Sequence, residues 1–228
     1  MSGDDRHSTR PRRGDLSSAL LTAAACVIAL TLVVRELRPS RAQTRIIGPS
    51  AVADSTWQKL LKAGHVIGRS PAPVTIAVFS DFECPFCGRF HSRWNALHKR
   101  FADTVALVFI HYPLDRHRFA RPAAMAAECA EKQGRFAEYA DAIFAAQDSL
   151  GILTWTDLAT RAHVDTVPFK QCVTDSSSGS DFQIAKDLAA EVGVAGTPTV
   201  VIDGVKYREP PTDEQILQSI ERIRSKRH

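Results

Sequence analysis

Cys84 and Cys87, in the run Phe82-Glu83-Cys84-Pro85-Phe86-Cys87, are the residues of this chain best placed to do chemistry. Two thiols at that spacing at a helix start can close and reopen a disulfide with each other, so the pair reads as a redox centre. Cys84 is expected as the N-cap and Pro85 at the first helical position, where its fixed φ fits and its missing N–H would have had no partner. At an N-cap the free backbone N–H groups and the positive end of the helix dipole favour a thiolate, and such cysteines reach pKa values of roughly 3.5–7.5. Cys84 is therefore the expected nucleophile and Cys87, one turn inside, the resolving thiol. Asp81 and Glu83 act in the other direction, because nearby carboxylates raise a thiol's pKa. The rival chemistry is half of a zinc site. It needs a second pair of ligands, and with His91 the nearest candidate and no second Cys-x-x-Cys in the chain, no metal is expected at the pair.

The flanking segments are those a strand-to-helix junction requires. Val74 to Phe79 is a β-branched and aromatic run, as expected of a buried strand, and Cys87, Phe90, Trp94, Leu97 and Phe101 recur at helical spacing. Val105 to Ile110 is a second apolar run, giving a βαβ unit with two parallel strands. Pro122 to Ala146 reads as one Ala-rich helix with Phe136, Ala140 and Ile143 on a face. Thr154 to His163 opens on a Thr-x-x-Asp cap signal, Val167 to Val173 is a shorter helix, and Asp181 to Val192 is another, closed by Gly193. Asp203-Gly204 between two short apolar runs marks a hairpin, and Thr212 to Gln215 is a capping box before a last amphipathic helix. His98, His111 and His117, like His91, read as surface or boundary residues, and Trp94 and Phe101 as core.

The N-terminal part reads differently. Residues 1–15 are polar and rich in Arg, Asp and Ser, a disordered cytoplasmic tail in this reading. Residues 16–34 carry no charge and are long enough to cross a bilayer, as a transmembrane anchor or uncleaved signal. Arginines flank the run on both sides, so charge does not orient it. The thiol pair does, since a disulfide role belongs outside the cytosol. Residues 35–70, with several Pro, Ser and Gly, read as a linker, and residues 71–228 as the catalytic domain. A net charge of +4 over 228 residues, with the basic residues scattered, excludes a nucleic-acid footprint.

Four blocks of residues, in this order, resemble the DsbA-like branch of the thioredoxin superfamily. They are Asp81 to Cys87, then His111-Tyr112-Pro113-Leu114, then Ala126-Ala127-Glu128-Cys129-Ala130 with Gly134-Arg135-Phe136, and finally Gly196-Thr197-Pro198-Thr199. The resemblance implies an α/β, thioredoxin-like fold with an inserted helical subdomain at about residues 118–192, here preceded by one N-terminal transmembrane helix. It implies that Pro198 is a cis-proline beside the thiol pair and that Thr197 offers its backbone to a substrate strand. Pro85 and Phe86 between the cysteines, with Glu83 before them, would tune the redox potential. Strongly oxidising relatives commonly have His where this chain has Phe86, so a weaker oxidant is expected.

Some relatives carry a second, structural disulfide in the insertion, so Cys129 and Cys172 are either that bond or two buried thiols. The implied function is disulfide formation in exported proteins by a membrane-tethered, extracytoplasmic monomer. Its partners would be substrates with free thiols and a membrane oxidase or reductase, and it would need no cofactor. A reductase or isomerase on the same fold is the alternative, and a metal- or thiol-binding module without turnover is the alternative of another class.

Overall fold

The computed structural model describes residues 49–175 and 182–226. The segment read as a membrane span, residues 16–34, lies outside the described residues. No helix among the described residues is long and apolar enough to cross a membrane.

Six strands form one mixed sheet. They are β1 (Ser50–Ala51), β2 (His65–Gly68), β3 (Val74–Ser80), β4 (Val105–His111), β5 (Thr199–Ile202) and β6 (Val205–Tyr207), in the spatial order β1-β6-β5-β3-β4-β2. β3 and β4 are parallel, joined over α2 (Pro85–Phe101), and every other pairing is antiparallel. The turn between β5 and β6 is the expected one, with Asp203 and Gly204 both in the left-handed region at φ 47° and 77°. That conformation at both central positions matches the twist of the strands it joins.

The sheet is buried on both faces, and the period-two alternation of its strands divides the core in two. Ile76, Val78, Leu107, Phe109, Val200 and Ile202 face α2, the helical insertion and the last helix, α8 (Asp213–Lys226). Ala77, Phe79, Val108, Ile110 and Val201 face the other way, onto α1 (Asp54–Ala63) and α7 (Phe182–Val192). Trp57 and Leu60 of α1 are buried there. Residues 50–68, read from the sequence as the end of a linker, are thus part of the domain. Residues 55–63 do have the pattern of a short helix, as α1 is, but only pairing of His65–Gly68 with Phe109–Ala106 makes β2 a strand.

The helical insertion also differs from its reading. The stretch expected as one helix is two, α3 (Ala120–Glu131) and α4 (Phe136–Ala145), separated at Gly134 with φ 64°. A left-handed glycine ends a helix by bonding back to its last carbonyls, and Gly134 N–H does so to Glu131. α5 (Trp155–Arg161) starts on the expected box, Thr154 and Asp157 exchanging side-chain and backbone bonds, and α6 (Thr166–Thr174) follows. α7, counted with the insertion in the sequence reading, packs on the opposite face of the sheet from α3 to α6.

Candidate active site

The C-terminal end of β3 delivers Ser80 and Asp81 to the start of α2, where the chain turns sharply. Cys84 N–H bonds the carbonyl of Asp81 at 3.1 Å, and Cys84 is the N-cap of α2 with Pro85 at its first position. The Cys84 carbonyl takes the first helical bonds, from Cys87 and Gly88. Both thiols are free and buried, at 2% and 1% exposure.

The two sulfurs have different surroundings. Cys84 Sγ lies 3.3 Å from the backbone oxygen of Thr197, to which its S–H donates. Its pKa falls from 9.0 to about 5, first because the Cys87 thiol donates to the thiolate, against the cost of burial, and further through the Thr197 side chain and the amides at the helix start. Cys87 is pushed well above 9.0, first by burial and then by the neighbouring Cys84. The long bond, 3.4 Å, from the Asp81 N–H and the nearby Ser80 side chain oppose this only in part. One thiol is therefore ionised at neutral pH and the other holds its proton, as a nucleophile and a resolving group must.

The carboxylates expected to oppose the thiolate are engaged elsewhere. The fully buried Asp81 accepts from Glu83 N–H at 2.7 Å, from Leu114 N–H at 2.9 Å and from His117 Nδ1 at 2.7 Å. Glu83 accepts from the Phe119 N–H at the entry to α3. Both stitch the active-site turn to the segment after β4, and the thiolate is favoured in their presence. His91 is likewise committed, 2.6 Å from Asp141.

Thr197 and Pro198 arrive from the other side of the sheet, just before β5, and the peptide bond between them is cis. The buried Thr197 hydroxyl has no partner besides the Cys84 sulfur, whose pKa it lowers. Beside the pair runs an open groove of about 510 Å³ whose lining includes Phe86, Gly196, Thr197, Pro198, Tyr207 and Arg208. Phe86 projects into solvent at 60% exposure, with the Arg89 guanidinium 4.3 Å over its ring. Pro85 sets the helix start, and the Phe86 ring lines the groove while its backbone amide helps to lower the Cys84 pKa. Cys129 on α3 and Cys172 on α6 are joined as a disulfide, with Cα atoms 5.7 Å apart.

Sequence reasoning missed Gln147, in a short 3₁₀ turn after α4. Its carboxamide donates to the carbonyls of Phe82 and Cys84 at 2.7 and 2.9 Å, closing the active-site turn against the insertion. It also requires Gly88, since a Cβ there would come within 2.5 Å of Gln147 Oε1. No local pattern marks a lone glutamine after a helix. His91 and His111, read as surface or boundary residues, are buried at 4% and 6%, and Trp94 is core as expected.

A family profile described as Thioredoxin matches residues 61–222. The crystal structure of Pseudomonas aeruginosa DsbA2 is 28% identical with a TM-score of 0.54, covering 69% of this chain and 92% of that one. BdbD from Bacillus subtilis, in its oxidised form, is 22% identical with a TM-score of 0.62, covering 77% and 95%. Among the curated relatives, a protein named Na(+)/H(+) antiporter NhaA 1 from Mycolicibacterium gilvum is 35% identical over 163 residues. That match takes in 69% of this chain but only 26% of the relative, so the chain spans about a quarter of the length of the curated relative. A strand-turn-helix carrying Cys84 and Cys87, a cis-proline facing it and the family match together place this chain in the thioredoxin family, with a fold like that of the DsbA proteins.

Proposed function

We propose that the protein is an extracytoplasmic oxidase that forms disulfides in exported proteins through Cys84 and Cys87. The observation that carries this reading is the asymmetry of the pair, with Cys84 lowered to about 5 and Cys87 raised. A disulfide oxidises more strongly the more its reduced, thiolate form is stabilised. In the oxidised protein a substrate thiolate attacks the Cys84 sulfur, breaking the Cys84–Cys87 bond and releasing Cys87 as the leaving thiolate, which takes up a proton. A second substrate thiolate attacks the substrate sulfur of the mixed disulfide and expels Cys84 as its stable thiolate. The substrate loses two electrons, and the pair keeps them until a membrane oxidase removes them.

In this proposal Thr197 and Pro198 present backbone to an extended substrate segment in the groove beside Phe86, and the Cys129–Cys172 bond is structural. Residues 16–34 tether the domain to the membrane with the domain outside, and residues 1–15 remain in the cytoplasm. That an antiporter, a protein that works across a membrane, carries a similar segment supports the tether. Equilibration of the pair against glutathione tests the direction of electron flow. Thioredoxin, with a thiol near pKa 7, sits at about −270 mV, and DsbA, near 3.5, at about −120 mV. A thiol at about 5 interpolates to roughly −180 mV, and a value near the thioredoxin end would make the protein a reductase instead. In the reverse, reductive direction a Cys87→Ser variant should trap mixed disulfides, its Cys84 thiolate attacking a substrate disulfide, expelling one substrate thiolate and meeting no second thiol to release it. Trapping through another cysteine would overturn the assignment of roles.

A further inference from the structure

Three donor side chains meet behind the active-site turn, and the redox chemistry uses none of them. His65 comes from β2, His111 from the end of β4 and Glu128 from the last turn but one of α3. One donor atom from each lies within 4.8 Å of the other two. His65 Nε2 is 2.8 Å from Glu128 Oε1, and His111 Nε2 is 3.3 Å from the same oxygen. The ligands of a tetrahedral ion held at about 2.0–2.1 Å stand about 3.3 Å apart, and the two distances to Glu128 lie close to that separation.

A hydrogen-bonded cluster accounts for only part of this. His65 Nε2 is within hydrogen-bonding distance of Glu128, while His111 Nε2 makes only a longer approach of 3.3 Å to the same carboxylate oxygen. That nitrogen remains buried without a hydrogen-bond partner, on a side chain only 5% exposed. A buried imidazole nitrogen beside two other donors, with no well-formed hydrogen bond of its own, is a group that a metal ion would satisfy. The walls are apolar: the His111 ring meets Phe82, Phe109 and Phe136 edge-on or tilted, and the His65 ring stacks on Phe136 at 4.0 Å. Glu128 and His65, at 33% and 17% exposure, leave a way in from solvent. The far nitrogen of His65 faces Glu131 at 3.9 Å, beyond hydrogen-bonding distance.

We propose that His65, His111 and Glu128 form a site for a divalent transition-metal ion of the Zn²⁺ class, tying β2 to β4 and to the helical insertion. Two imidazoles and one carboxylate suit zinc and leave a fourth position for water. The site is separate from the thiol pair and stands whichever way that pair moves electrons. Through the Phe82 ring, 5.6 Å from His111, it backs the turn that carries Cys84.

The test uses the full chain without a histidine tag, with Cys26, Cys84 and Cys87 changed to Ser so that no free thiol competes for metal. Zn²⁺ is titrated by calorimetry, and Co²⁺ by its visible spectrum. The expected result is one ion per chain, with Co²⁺ bands of nitrogen and oxygen ligation that Zn²⁺ abolishes, and a melting temperature raised by Zn²⁺. His65→Ala and the near-isosteric Glu128→Gln, each checked for parental circular dichroism, should bind Zn²⁺ about 100-fold more weakly or worse, beyond the usual cost of losing an outer partner. Glu128→Gln keeps the shape of the site and so carries the test if His65→Ala misfolds. No stoichiometric binding by the parent, or binding that survives both changes, would reduce the trio to a polar cluster.

Discussion

Removing the Cys87 thiol should show how much of the low Cys84 pKa is made by one neighbour. The Cys87 thiol is the first of the groups that bring Cys84 down from 9.0 to about 5. At pH 7 a thiol of pKa 5 is about 99% ionised, whereas one of pKa 9 is about 1% ionised. A hydrogen bond to a charged group contributes about 1.5–3 kcal/mol, and 1.36 kcal/mol corresponds to one pKa unit. Cys87→Ala should therefore raise Cys84 to roughly 6–7, and Cys87→Ser, which keeps a donor, should raise it less. The assay is thiolate absorbance against pH on the reduced protein, checked by the pH dependence of the alkylation rate. A Cys84 midpoint unmoved by Cys87→Ala would refute the reasoning, because the thiolate would then owe its stability to Thr197 and the helix start instead. The same asymmetry fixes how the potential depends on pH. Below pH 5 reduction takes up two protons per two electrons and the potential falls by about 59 mV per pH unit; above it Cys84 stays ionised and the slope halves to about 30 mV. The sign for stability follows. The folded value of Cys84 lies below the unfolded one, so its contribution to the stability of the reduced form shrinks as pH falls from 9 and is gone below about 5, whereas Cys87, raised above 9.0, works against the reduced form above pH 9.

Thr197→Val removes the buried hydroxyl and keeps the shape, so Cys84 should rise by about one pKa unit or less and the potential should become more negative, read in the same titration and by glutathione equilibration. Gln147→Ala deletes two bonds to the active-site turn and should cost about 1–2 kcal/mol, a fall in melting temperature of roughly 3–6 °C, with the alkylation rate of Cys84 reporting the loosened turn. Cys129→Ala with Cys172→Ala opens a loop with a sequence separation of 43 residues. Loop-closure entropy puts the loss near 4 kcal/mol, measurable by urea unfolding. An unchanged midpoint would mean that the bond does not restrict the unfolded chain as that argument requires.

The amino-acid sequence determined what depends on neighbours along the chain. Cys84 at the helix start, Pro85 behind it, the β-branched run before it and the Asp203-Gly204 turn are short-range patterns whose physics is complete within a few residues. The structure has each of these elements at its expected place. Tertiary structure decided the rest, because distance along the chain hides it. Residues 50–68 become part of the domain only when β2 finds β4, and the asymmetry of the thiols depends on Thr197, 113 positions away from Cys84. Gln147 reaches back to the turn across 63 positions. Asp81 and Glu83, which by proximity alone should have raised the Cys84 pKa, are instead occupied by Leu114, His117 and Phe119. Two carboxylates beside a thiol are a local fact. Where their lone pairs point is a property of the fold, and so is the meeting of His65, His111 and Glu128.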